Sequence, residues 1–436
     1  MKKIQKTALH IRTAVKVALM CASSLQFAYA EAQAPTLKIQ GYTAVNGAFA
    51  KQQRTDNGKG GAPVHVAIGA SDLYFTVTGK SANGMTYSYR INFETIPGSS
   101  AYVNKNYVEF KGGFGTVQAG SVAGPENSMT ESGSELIGGA NGIDGVMPSV
   151  YNYSAGVIHG VTYVGDTKKS SKIVLYSPEV SGFQLGLAYT PNTSNRGNGE
   201  KSNAVGDSGF MPGNSSSIYP NGKTPIFGTN SFTAGMTYKN SIGKWAYALA
   251  AVGVVDKSKY VDPTIAAQGA IPVNNAKSYQ LSGSIAYDQL KVAAGWIDNG
   301  KSRVLKGPYT GSSTTDGQKY LSALSTSGTH LGNAGKSWNL GTSYTYEAYQ
   351  FAVAYHRTDR KTDAKNSASS DIVCTSVDLN ALQGLKFFGE MDLIKTKTND
   401  KAVALQQAYM NSEKKGSTAI GNNSGAVFVV GTKVSF

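Results

Sequence analysis

The chain has 436 residues, with 41 Lys and Arg against 27 Asp and Glu, 51 Gly and 25 Tyr. A formal charge of +14 would suit a nucleic-acid binder, but the cations are scattered over many segments and no basic run is interleaved with stacking aromatics. That class is excluded, and so is a helical membrane protein, because no run of about twenty apolar residues is present.

The N-terminus has the form of an export signal. Lys2, Lys3, Lys6 and Arg12 precede an apolar stretch from Ala14 to Ala22, and Ala28-Tyr29-Ala30 offers a small-x-small cleavage site. Residues 1–30 are therefore expected to be a signal peptide, with 31–436 forming one barrel domain and Glu31 as the new N-terminus. Removing the signal lowers the net charge to about +9 and takes away Cys21. Cys374 is left alone, so neither an intramolecular disulfide nor a cysteine metal cluster can form.

Beyond the signal, apolar and polar residues alternate with period two. Tyr87, Tyr89, Ile91 and Phe93 are interleaved with Ser88, Arg90, Asn92 and Glu94, and the same pattern recurs from Phe183 to Tyr189, Trp245 to Ala251 and Leu290 to Trp296. The pattern predicts sixteen strands, at 37–49, 65–79, 86–95, 104–111, 115–121, 172–177, 183–190 and 230–239, then 244–254, 278–287, 289–297, 336–346, 349–357, 371–380, 385–396 and 425–436.

Apolar faces that end in Tyr, Trp or Phe match the two interfaces of a bilayer, whereas a soluble sandwich has no need of aromatic ends. Connections give an independent test. Short ones, such as 112–114, 178–182 and 347–348, alternate with mostly long polar ones, such as 191–229, 298–335 and 397–424. An up-and-down barrel with short periplasmic turns and external loops requires that alternation. The expected fold is thus an all-β, transmembrane, antiparallel up-and-down barrel in the outer membrane. Tyr151 to Tyr163 could add a further hairpin.

Inward positions would carry Lys38, Gln40, Arg90, Asn92, Glu94, Lys105, Glu109, Lys111, Lys172, Lys291, His356, Lys386, Glu390, Asp392 and Lys433, which makes a wet, charged lumen. Of the histidines outside the signal, His65, His159, His330 and His356, none lies in a nucleophile or zinc motif. No catalytic residue, cofactor or metal site is expected. A barrel hydrolase using His356 with a remote serine, and a non-conducting adhesin or structural barrel, remain the rival classes.

Three segments resemble the general diffusion porins of Gram-negative bacteria. NKNYVEFKGGFGTVQAG, from Asn104 to Gly120, is similar to their fourth strand, tight turn and fifth strand. KIVLYSPEVSGFQLGLAYTP, from Lys172 to Pro191, is similar to the sixth and seventh strands, and GAVFVVGTKVSF, from Gly425 to Phe436, to the terminal strand. The resemblance implies a sixteen-stranded homotrimer in the outer membrane, assembled by machinery that reads the terminal Phe436, and a channel for passive diffusion of ions and small hydrophilic solutes.

It also implies that the third external loop, 122–171, folds inward and places acids opposite basic wall residues. Glu126, Glu131, Glu135 and Asp144 are then the candidate constriction acids, and Lys38, Arg90, Lys105 and Lys433 the basic wall. A solvated external acidic loop is the other reading. Ser121 stands where relatives often carry a cation, Asp72 lies where a basic wall residue is expected, and the second loop, 96–103, is short for an inter-subunit latch.

Overall fold

The computed structural model describes residues 33–54, 64–95, 102–157, 164, 170–193, 226–260, 273–304, 306, 332–404, 407 and 419–436. The expected signal peptide lies outside the described residues. Sixteen strands follow: β1 (Gln33–Gln52), β2 (Val64–Lys80), β3 (Thr86–Glu94), β4 (Tyr102–Gly112), β5 (Gly115–Ser121), β6 (Ser171–Tyr176), β7 (Phe183–Asn192) and β8 (Ile226–Ile242). The second half comprises β9 (Trp245–Tyr260), β10 (Lys277–Tyr287), β11 (Leu290–Asp298), β12 (Lys336–Tyr346), β13 (Tyr349–Lys361), β14 (Ser367–Leu382), β15 (Leu385–Lys397) and β16 (Asn423–Ser435).

Each strand pairs antiparallel with its neighbours in sequence, and β1 pairs with β16, so the sheet closes on itself. Closure leaves no unpaired edge in the hydrocarbon, which is the condition for a sheet to span a membrane. At the seam Phe49 faces Phe428, and Tyr42 faces Ser435. Past the last strand, Phe436 and Gly41 exchange two backbone hydrogen bonds of 3.0 Å. The Phe436 ring lies over Gly41, where a Cβ would come within 2.8 Å of it.

The period-two pattern sorts side chains as expected. Leu185, Leu187, Leu249, Leu281 and Leu340 are half exposed on the outside, while Ala250, Val252, Ala293, Ala354 and Val427 are buried on the inside. Two aromatic belts bound the apolar face. Tyr189 with Phe232 (ring centroids 4.9 Å), Tyr279 with Trp296 (5.4 Å) and Trp338 with Tyr355 (4.9 Å) form one belt. Phe183 with Tyr238 (4.4 Å) and Trp245 with Tyr287 (4.7 Å) belong to the other. Phe183 and Tyr189 are about 20 Å apart along their strand, a spacing suited to an outer-membrane apolar band.

The hydrophobic core is inside the barrel, under the segment that links β5 to β6. Ile137, Ile143, Met147, Val150, Tyr151 and Val157 of that segment pack on Ala352, Ile372, Cys374, Phe388, Val427 and Val429 of the wall. It contains short helical turns at Pro125–Ser128 and Met147–Val150 and 3₁₀ turns at Gly133–Leu136 and Gly142–Asp144. The hairpin allowed for between Tyr151 and Tyr163 does not form in residues 151–157, which leave the last helical turn as irregular chain; 158–163 lie outside the described residues. Tyr151 and Tyr153 are instead stacked edge to face at 5.2 Å within the core.

Candidate functional site

The loop follows the inner wall by bonding its backbone to inward side chains of successive strands. Ser132 Oγ and the Gly133 amide both donate to Asn339 Oδ1 of β12, at 3.0 and 2.7 Å. Ser134 Oγ meets His356 Nδ1 of β13 at 3.2 Å. The Gly138 amide donates to Ser376 Oγ, Gly139 to Asp378 Oδ2 and Gly142 to Glu390 Oε2, at 3.2, 3.1 and 2.9 Å. Near the seam, the Gln52 side chain of β1 donates to Val150 O and accepts from the Asn152 amide, while Asn423 of β16 donates to Asn152 O at 2.7 Å.

Close approach is possible because small residues face each other. Gly133 lies against Gly341 and the backbone of Leu340, with no room for a Cβ on either glycine. Gly186 and Gly235 of β7 and β8 leave space for Pro125 and Met129 of the loop in the same way.

The four loop acids have different surroundings. Glu126 does not face the lumen: its side chain is fully buried and pairs with the equally buried Lys172 of β6 at 3.5 Å. Glu131 is half buried, accepts from Ser284 Oγ at 3.0 Å, and pairs with Lys239 and Lys291 at 3.3 Å each. Burial raises its carboxyl, but Lys291, Ser284 and Lys239 together outweigh that and leave it below the usual glutamate value.

Glu135 and Asp144 are the exposed pair. Glu135 caps its own 3₁₀ turn, accepting from Thr130 Oγ1 at 3.0 Å and from the Ser132 amide at 3.4 Å. Partial desolvation by the loop and wall packed around it, joined by the charges of Glu131 and Asp144, raises its carboxyl despite those two bonds and its exposed outer side.

In the closed strand order, β2 and β3 lie five to seven places from β12 and β13, toward the far side of the lumen from the 3₁₀ turn that carries Glu135. That side has a network centred on Asp72. Its carboxylate accepts from Tyr42 Oη at 2.7 Å, Tyr74 Oη at 3.0 Å and Asn92 Nδ2 at 3.1 Å. Each tyrosine ring bears a cation: Lys433 Nζ is 4.0 Å from the Tyr42 centroid and Arg90 Cζ 4.6 Å from that of Tyr74.

The structure thus brings Arg90 and Lys433 to one cluster through an acid and two tyrosines that alternation placed inward without revealing their contacts. Lys105 faces Asn92 beside this cluster, and Lys38 faces Thr76 on the next pair of strands. Lys172, Lys239, Lys291 and Lys386 are anchored by acids, Lys386 to Asp378 at 2.7 Å.

His356 is buried, and its Nε2 has no hydrogen-bond partner in the described structure. With Ser134 it forms a two-residue contact beneath the loop. A triad would need a third group orienting the ring and an accessible serine. No group of three or more His, Cys, Asp or Glu suited to holding a metal occurs among the described residues.

A family model described as Gram-negative porin matches residues 14–399. An uncharacterized protein of Rickettsia felis is 23% identical over 249 residues; the match covers 48% of this chain and 57% of that protein. Among solved structures, an anion-selective porin from Comamonas acidovorans superposes with a TM-score of 0.55 at 13% identity, over 92% of this chain and all of that one. The trimer form of OmpT, an outer membrane protein of Vibrio cholerae, gives 0.52 at 10% identity, over 93% of this chain and all of that one. At such identities the structural matches speak for the fold alone.

Proposed function

The chain belongs to the Gram-negative porin family and is an outer-membrane β-barrel, and from that premise we propose that it is a water-filled channel for passive diffusion of ions and small hydrophilic solutes. The observation that carries this reading is the exposure of Glu135 and Asp144 on a segment bonded to the inside of the barrel. Carboxylates exposed at that position stand in water, and sixteen strands are wide enough to leave an aqueous passage beside the loop.

In this reading the narrowest level lies between Glu135 and Asp144 on the loop and Arg90, Lys105, Lys38 and Lys433 on the wall. Opposed charges set a transverse field that passing ions feel directly, since they pass within a screening length of about 8 Å. Glu131 tethers the loop, and Glu126 secures its first turn. The mature protein is proposed to start at Glu31, to assemble as a homotrimer, and to present Phe436 to the barrel assembly machinery.

Purified protein in a planar bilayer tests the proposal. Stepwise conductance grouped in threes is expected. A folded barrel, verified by heat-modifiable migration, that inserts without conducting would overturn the channel reading in favour of an adhesin or structural barrel.

A further inference from the structure

The lipid-facing wall is not uniformly convex. Across β7 to β10 it has an apolar groove of about 440 Å³. Ala234, Ala251 and Gly253 form its floor, and the half-exposed Leu187, Met236 and Leu281 form its walls. The floor is low because three neighbouring outward positions carry a methyl group or no side chain, whereas Leu249 and Val255 stand out on the same face of β9. Tyr279 also lines the groove, on its external side, and belongs to the external aromatic belt.

Above this belt the same outward faces become basic. Lys277 is the next outward residue beyond Tyr279, about 7 Å farther along β10. Lys257 is outward on β9, two residues beyond Val255, which pairs with Lys277. The two lysines are therefore diagonal neighbours with Cβ atoms about 7 Å apart. Both are exposed. The outward carboxylate beside them, Asp298, is engaged by Lys336 at 2.8 Å and accepts from Tyr279 Oη at 3.3 Å.

We propose that this face binds one anionic membrane lipid, with an acyl chain in the groove and a headgroup phosphate between Lys277 and Lys257. A dry trough lined by aliphatic side chains takes up methylene groups with no polar group to desolvate. Two ammonium groups about one phosphate apart, at the height where headgroups begin, supply the charge complement. A two-fold contact with a second copy fits less well, because it would set the two lysines against their own counterparts.

The test is native mass spectrometry of the folded full-length barrel in detergent, titrated separately with dioleoylphosphatidylglycerol and dioleoylphosphatidylcholine. One phosphatidylglycerol per barrel is expected, bound about tenfold more tightly than phosphatidylcholine. The variant Lys257→Gln with Lys277→Gln should abolish that preference, and Ala251→Leu, which fills the floor, should weaken both lipids. The rim variant keeps the test decisive even if Ala251→Leu fails to fold. Equal binding of both lipids to the wild type, or an unchanged preference in the double lysine variant, would overturn the site. A change of oligomeric mass in folded Ala251→Leu would overturn it as well, by assigning the groove to a contact between copies. None of these readouts depends on conduction.

Discussion

Glu126→Gln is the substitution that most directly probes how the loop is fixed. Glu126 and Lys172 are 3.5 Å apart and neither side chain is exposed. Removing one partner of a buried pair takes the nearest counter-charge from the other, at a cost of up to about 3–5 kcal/mol. The arm is also held by Pro125 and by Met129, 3% exposed, whose burial contributes about 2 kcal/mol, and by hydrogen bonds between Ser128 and Tyr176 and from the Glu131 amide to Ser282. Glu131 adds two pairs to half-exposed lysines, about 0.5 kcal/mol each after solvent screening. The penalty is a large fraction of what keeps the arm on β7 to β9, so the arm should leave the wall far more often than in the wild type.

Single-channel recording should show this as frequent brief closures and raised open-channel noise. Replacing both partners, Glu126→Leu with Lys172→Met, removes both charges and should restore quiet openings. If Glu126→Gln folds and its current is as quiet as the wild type's, the pair does not anchor the loop and the argument fails.

Replacing Glu135 by Gln and Asp144 by Asn should move the zero-current potential in a salt gradient toward anion preference, more strongly in dilute salt; coincident potentials at two ionic strengths would remove these acids from the narrowest level. Because partial burial raises the Glu135 carboxyl, it takes up its proton at a higher pH than an ordinary glutamate, so the wild-type zero-current potential should drift toward anion preference from a pH above the usual glutamate range. The same titration of Glu135→Gln should lack that early component. Gly41→Val sets a branched side chain against the Phe436 ring and the Asp72 carbonyl, within 2.8 and 2.9 Å of the new Cβ. It should lower the fraction of heat-modifiable barrel on gels by a cost of about 1–3 kcal/mol at the seam. N-terminal sequencing of outer-membrane protein should begin at Glu31, and a Met1 start would refute the export reading.

The strands could be read from the sequence because lipid imposes one physical rule on every second residue, and residues such as Leu185, Leu187 and Tyr189 obey it. The rule stops where lipid stops. β8 runs from Ile226 to Ile242 and β9 on to Tyr260, well past the alternating segments 230–239 and 244–254, since strand ends above the membrane need pairing but no apolar face.

The loop was less legible. Its acids could be identified, but Glu126 is separated from the lumen by its pairing with Lys172, 46 residues away, and no local pattern encodes that contact. The Asp72 network was missed for a similar reason. Tyr42 and Tyr74 occupy inward positions, where an aromatic ring needs a polar partner for its hydroxyl, and that mismatch with the aromatic outer face was the available signal.

Gln52 and Asn423, on the first and last strands, both grip Asn152 of the inward loop. The loop's far end is thus a clasp across the junction of the two chain ends, and it can close only after those ends have met. The order of events is accordingly constrained: Asn152 can be held from both sides only once the seam between the first and last strands has formed, so the seating of the loop end follows closure of the barrel.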